Sequence, residues 1–388
     1  MKGATAVLLV NSLGTGGAEK AVSSAARRLR LQGHDLRIVC LERPRERYEQ
    51  ADGPAVEYLS SLSDSSGAAL KLLVVPVLAF RLARYIARFQ VSAVMSHLFR
   101  ANYVNVLARL LAGAAHRVFL VNHTRISRLS NEGIQGRINW ILCRLLYPRA
   151  DLVASVSVGA AIECARLLRL PGEKSMTLYD PVDLPVTRLG LRAPGKALHA
   201  IAAMGRFVAL KRFSDLVLAL SAVLPDFPHI ELRFIGDGPD RKRIERLAAD
   251  LGISGRVQFL GMLQKPSEVL ADCDLFVSTS ETEGFGMAIV EALAAALPVI
   301  ASDCPYGPRE ILSPRTDPVK LLSQDSPIEL APFGVLYPVG NVKALEKALR
   351  QILSDSALRD ELSRKGPSRA ADFSSERSTA VYEKLLFA

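Results

Sequence analysis

A short basic cluster, Arg206, Lys211 and Arg212 in GRFVALKRF, follows a predicted strand. Further on, Glu283 and Glu291 bracket a Gly-Phe-Gly turn and an apolar helix in ETEGFGMAIVEALA. A guanidinium offers a planar fork for two phosphate oxygens, and an ammonium adds a point charge. Cations at a helix start oppose the helix dipole, so Arg206 and Lys211 need a cause other than helix stability. Gly284 and Gly286 free the backbone, so the N–H groups near Phe285, Gly286 and Met287 can face an anion. Glu291, about two turns into the helix, can accept two hydrogen bonds from a diol such as ribose. The first group is chemistry for a diphosphate and the second for sugar and ribose hydroxyls. Together they point to a nucleotide-activated sugar.

In the first half, Gly16 and Gly17 of GTGGAEK lie between the first predicted strand and helix. Glycines there let backbone approach a phosphate at a helix N-terminus. The loop is not G-x-G-x-x-G, so a nicotinamide cofactor is not indicated. His97 in MSHLFRAN and His123 in VNHTRIS each end a predicted strand, and both are candidates to contact reacting groups. The other four histidines, His34, His116, His199 and His229, read as surface residues. Asp272-Cys273-Asp274 has the spacing of a metal-binding acid pair but leads into the apolar LFVSTS, so it reads as a loop before a strand. In GDGPD at 236–240, Pro239 at a helix start and plain glycine turns explain the sequence as well as a phosphate loop does.

The elements that must hold these groups alternate between strand and helix. Predicted strands at 6–10, 36–41, 91–96, 117–122 and 152–156 alternate with helices at 18–31, 69–89, 100–111 and 134–147. The segment 181–196 is rich in Pro and Gly and breaks the rhythm. A second series follows, with strands at 200–204, 231–235, 257–259, 275–278 and 298–301 and helices starting near Lys211, Pro239, Gly286 and Val342. Residues 313–332 read as a surface insertion, and 374–386 as a last amphipathic helix. Repeated βα layering implies mostly parallel sheets covered on both faces. The expected fold class is α/β, two tandem Rossmann-like, doubly wound domains with an interdomain cleft. Ligands bind such sheets beyond the carboxyl ends of the strands.

With 388 residues, 49% apolar and 23% charged, the chain can bury two substantial cores. Its five cysteines show no paired spacing, which fits a reducing compartment. No apolar run is long enough for an export signal or a bilayer span. The net charge of +10 is concentrated in the first half. Between Ser65 and Arg149 twelve Lys/Arg face one acid, Glu132. This stretch lacks the interleaved aromatics of a base-stacking surface, so nucleic acid is not expected. Basic residues alternating with apolar ones fit an anionic membrane or a lipid diphosphate. The expected location is cytoplasmic, peripheral to the inner membrane.

The chain resembles retaining glycosyltransferases of the GT-B fold, carbohydrate-active family 4. The resemblance is carried by EGFGMAIVE, an E-x7-E motif, with GRFVALKR upstream. The tail SDCPYGPREIL and FGVLYPVGN resemble the bacterial branch that builds lipid-linked surface oligosaccharides. The resemblance implies an acceptor-binding domain at 1–184, a linker at 185–196, a nucleotide-sugar domain at 197–373, and a helix at 374–388 packing back toward the first domain. It implies that Arg206 and Lys211 hold the donor diphosphate, Glu291 the ribose and Glu283 the sugar ring. Backbone around Phe285, Gly286 and Met287, with Gly16 and Gly17, would complete the phosphate cradle, and His123 would line the reaction centre. It implies no metal and no cofactor; a UDP-sugar is a substrate, and a lipid-linked or other glycan is the acceptor. Thr15 precedes the glycine loop at a position where members of the family vary. The alternative within this fold is a UDP-sugar epimerase, which would act without an acceptor.

Overall fold

The computed structural model describes residues 5–14, 16–44, 56–131, 133–184 and 199–388. Thr15 and the predicted linker 185–196 lie outside the described residues. The chain divides into two compact units, Met1–Asp183 with Phe373–Ala388, and Leu184–Asp372. Both are Rossmann-like α/β units.

In the first unit the described strands are β1 (Thr5–Val10), β2 (Leu36–Cys40), β3 (Val56–Tyr58), β4 (Val91–His97), β5 (Arg117–Asn122), β6 (Leu152–Ser155) and β7 (Ser175–Thr177). They form one parallel sheet in the order β3-β2-β1-β4-β5-β6-β7. Strands such as AVLLV are unbroken apolar runs because helices cover both faces; Ala6 to Val10 are fully buried. The order reverses between β1 and β4, and the loops beyond the carboxyl ends of these two strands flank the usual ligand crevice of such a sheet.

The second unit repeats the plan with β8 (Ala200–Met204), β9 (Glu231–Ile235), β10 (Val257–Phe259), β11 (Leu275–Ser278), β12 (Val299–Ser302), β13 (Glu329–Ala331) and β14 (Gly334–Tyr337). The order is β10-β9-β8-β11-β12-β14-β13, so the reversal lies between β8 and β11. Among the described strands of this sheet only β13 runs antiparallel, against β14.

Three expectations need correction. The stretch 69–89 is two helices, Ala68–Leu73 and Val75–Phe89. Pro76 sits at the start of the second, where its ring is tolerated, and disfavours helical continuation before it. Residues 313–332 are not wholly a surface insertion: they contain β13, and Arg309, buried, binds Asp303 and Glu329 across their base. His116 is buried rather than surface, with its ring between Asn105 Oδ1 (2.9 Å) and Ala114 O (3.1 Å).

The last helix, Ser375–Phe387, packs on the helix Gly17–Leu31 within the first unit. Tyr382 is buried there, and the Arg117 guanidinium donates to the carbonyls of Leu386 and Ala388. Among the described residues no helix is long and apolar enough to cross a membrane.

Candidate active site

The donor-site candidates of the second unit gather at its order reversal. β8 ends at Met204, and Gly205 (φ +151°) turns the chain to Arg206. The turn is braced from β9: Gly205 N donates to Ile235 O, and Phe207 N to Asp237 O, each at 2.9 Å. A Cβ on Gly236 would stand 2.1 Å from Gly205 O, and one on Gly238 2.5 Å from Phe207 O, so both positions need glycine. The GDG sequence thus shapes the loop that carries Arg206. Phe207 anchors that loop by burying its ring edge-on to Phe213 and Phe234. The Arg206 side chain is exposed and pairs with no described residue.

Lys211 ends the 3-10 turn Ala209–Lys211, and its stem passes beside Gly205: a Cβ there would lie 3.1 Å from Lys211 Cε. Arg212 is committed to its own helix, with Nε 2.7 Å from Asp215 Oδ2. Lys211 Nζ lies 2.5 Å from Glu283 Oε1, which also accepts from Ser280 Oγ at 2.6 Å. Two hydrogen bonds lock the loops after β8 and β11 together: the Thr279 hydroxyl donates to Lys211 O (2.6 Å) and the Glu281 amide to Leu210 O (2.7 Å).

The loop after β12 joins them. Glu283 N donates to Pro305 O (3.0 Å), and Tyr306 N to Glu283 O (3.2 Å). Gly307 (φ +108°) lies so close that a Cβ would stand 1.8 Å from Phe285 O. Phe285 buries its side chain, leaving its backbone to form the turn. Gly286 is left-handed (φ +103°) and caps the helix Met287–Ala294, whose first-turn amides point toward its N-terminal end. Because the helix starts only at Met287, Glu291 lies about one turn in, not two. Cys304 is buried in this region, and burial, then the negative charge of Glu283, push its thiol pKa far up; it stays protonated. Asp274, of the acid pair, is buried and accepts from the amides of His199 (2.7 Å) and Ala200 (2.8 Å), a structural role. Among the described residues no group of three His, Cys, Asp or Glu is arranged to hold a metal ion.

In the first unit, Gly16 caps the helix Gly17–Leu31 with extended backbone. Asn11 Oδ1 accepts from Ala101 N (3.1 Å), tying the loop after β1 to the helix after β4. His97, the last residue of β4, is fully buried, with Nδ1 2.9 Å from His123 Nε2 and its ring stacked on Tyr382. Burial, then the neighbouring His123, hold its pKa well below the usual histidine value, so it is neutral. His123 Nδ1 lies 3.2 Å from Asp180 Oδ1, an ion-pair distance without hydrogen-bond alignment. The His123 side chain is 5% exposed. Both its ring nitrogens face protein groups, so in this arrangement neither is free to meet a ligand.

The sequence reading missed Ser280, the Pro305–Gly307 loop and the His97–His123 contact. Ser280 lies three residues before Glu283, a spacing that sets a hydroxyl beside the carboxylate; nothing in the sequence signals the other two.

Two family models cover most of the chain. Residues 15–185 match Glycosyltransferase Family 4, and 196–369 match Glycosyl transferases group 1. Over 94% of both chains it is 25% identical to the N-acetylgalactosamine-N,N'-diacetylbacillosaminyl-diphospho-undecaprenol 4-alpha-N-acetylgalactosaminyltransferase of Campylobacter jejuni. It is 32% identical to the lipopolysaccharide core biosynthesis glycosyltransferase LpsE of Rhizobium meliloti, over 52% of this chain and 53% of that one. The fold matches Anabaena HepE solved with UDP-glucose (TM-score 0.73, 20% identity, 98% and 99% of the two chains). It also matches sucrose-phosphate synthase from Thermosynechococcus elongatus (TM-score 0.79, 18% identity, 98% of each chain). The chain belongs to the glycosyltransferases of the GT-B fold, family 4 type, and is an enzyme that transfers a sugar.

Proposed function

We propose that the enzyme moves a hexose or N-acetylhexosamine from a UDP-sugar to a polyprenyl-diphosphate-linked or other surface-glycan acceptor, with retention, forming an α-linkage. The observation that carries this reading is the meeting of Lys211 and Glu283 at the order reversal of the second sheet, beside Arg206, which is unpaired among the described residues. Cleavage of the glycosyl–phosphate bond develops negative charge on the diphosphate and positive charge on the ring. Arg206 and Lys211 are set where they can act on the first, with the amides at Gly286 and Met287. This takes over the charge neutralisation a metal would supply, so we assign no metal and no cofactor. Glu283 orients the sugar ring and Glu291 binds the ribose. The acceptor hydroxyl enters on the face from which the diphosphate leaves, with no protein nucleophile.

The acceptor class is supported by the names of the Campylobacter and Rhizobium relatives and by the basic stretch 65–149. That stretch also supports work at an anionic membrane surface on the cytoplasmic side. The test is a thermal-shift panel of nucleotide sugars, followed by transfer assays with the best ligand. A ligand at 100 times its Kd stabilises by ~2.7 kcal/mol. A β-linked product, or conversion of the UDP-sugar without acceptor, overturns the reading.

A further inference from the structure

In the first unit the helices Val75–Phe89, Phe99–Ala112 and Gly133–Leu146 pack side by side in that order. Their inner faces supply Leu78, Leu82, Val104, Val106, Cys143 and Leu146 to one core. Their outer faces are unusually apolar. On Gly133–Leu146 the residues Ile134 (78% exposed), Ile138, Ile141 (54%) and Leu145 recur at helical spacing and form one outward stripe. Phe80 (59%) on the first helix and Leu111 (65%) on the second are also exposed. Arg137 and Arg144 flank the stripe, are exposed, and pair with no described residue. None of the three helices contains an Asp or Glu.

We infer that the outer face of Gly133–Leu146 is the element that enters an anionic bilayer leaflet, with the two neighbouring helices beside it. An exposed apolar stripe marks an interaction site. Its border decides the occupant: two exposed arginines, Arg137 and Arg144, beside an apolar stripe on a helix without acids complement acidic headgroups above acyl chains. This inference rests on the membrane part of the proposed function and names the surface that performs it.

The experiment is flotation of the full chain with phosphatidylcholine vesicles, with and without phosphatidylglycerol. The expected result is salt-sensitive binding only with the anionic lipid. Ile134→Ser with Ile141→Ser should weaken binding roughly tenfold or more. Arg137→Gln with Arg144→Gln should weaken it roughly tenfold. Leu31→Ser, at an exposed leucine of the helix Gly17–Leu31, should leave it unchanged. UDP-induced thermal shifts of every variant show that folding and the donor site are intact. No flotation of the unsubstituted chain overturns both the membrane reading and this inference, and leaves sugar transfer standing if the UDP shift persists. Flotation of the chain but equally of both double variants overturns this inference alone. Equal binding to neutral vesicles overturns it too, as does a concentration-dependent dimer that the serine pair abolishes, which would make the stripe a contact between copies.

Discussion

Lys211 and Glu283, 72 residues apart in sequence, form an ion pair at 2.5 Å, and Ser280 donates to the same carboxylate oxygen. The ammonium proposed for the diphosphate is held by the acid proposed for the sugar. The pair keeps both side chains ordered at the carboxyl ends of β8 and β11, so the donor meets groups that need little further ordering.

This coupling predicts non-additive substitutions. Lys211→Ala should cut turnover roughly 10²–10³-fold. It leaves Glu283 with only its serine partner, and stability should fall by about 1–3 kcal/mol. Glu283→Gln keeps an acceptor for Ser280 and should spare UDP affinity while lowering turnover. The double variant's stability loss should fall short of the sum of the two single losses by at least ~0.5 kcal/mol. Strict additivity in chemical unfolding would mean the two groups do not interact in solution.

Arg206 predicts the opposite pattern. Its guanidinium is exposed and unpaired among the described residues, so Arg206→Ala should change stability by no more than ~0.5 kcal/mol. Loss of a charge-assisted contact to the diphosphate should weaken UDP binding by about 1.5–3 kcal/mol. Calorimetric titration with UDP checks this; unchanged affinity removes Arg206 from the donor site.

The Pro305–Gly307 loop predicts a packing effect on binding. Gly307→Ala puts a methyl group where Phe285 O already lies, and a backbone carbonyl cannot swing aside. The loops must part, at a cost of about 1–3 kcal/mol beyond the left-handed strain. Gly252→Ala, at φ +70° with nothing within 4 Å, carries the strain alone and is the control. Only Gly307→Ala should lower UDP affinity. If both variants bind UDP normally, the turn around Phe285 is not part of the cradle.

How much of this was legible depended on how local the signal is. Parallel strands such as β1 and β11 are apolar runs between turn residues, so the βα rhythm could be read. The Arg206–Lys211 and Glu283–Glu291 groups could be read because each lies within one loop and its following helix. That Lys211 reaches Glu283 depends on β8 and β11 being neighbours, a tertiary fact with no local trace. β13 was illegible because ELA is three residues with a polar end, and its register comes from β14. The break at Val74 was readable in principle from Pro76, but an unbroken apolar and basic pattern outweighed it. His97 and His116 looked like strand-end and loop residues, and only packing shows them buried.

Those two histidines set the stability of the first unit toward acid. Burial is the main cause that lowers both pKa values, His116 to about 4, although the Ala114 carbonyl pulls His116 the other way. The unfolded chain takes up protons near the ordinary value of about 6.5. The fold resists them, so the unfolded state binds more protons as pH falls, and stability declines in that direction. The stabilising difference is complete above about pH 6.5 and is lost progressively as pH drops toward the His116 value. Each histidine contributes up to about 1.4 kcal/mol per pH unit in that window. Urea unfolding from about pH 8 to about pH 5 should show the fall, and His97→Gln should flatten it. Gln can still bond to His123 but carries no titrating group, so an unchanged slope would mean that folded His97 accepts its proton from solvent as readily as the unfolded chain does.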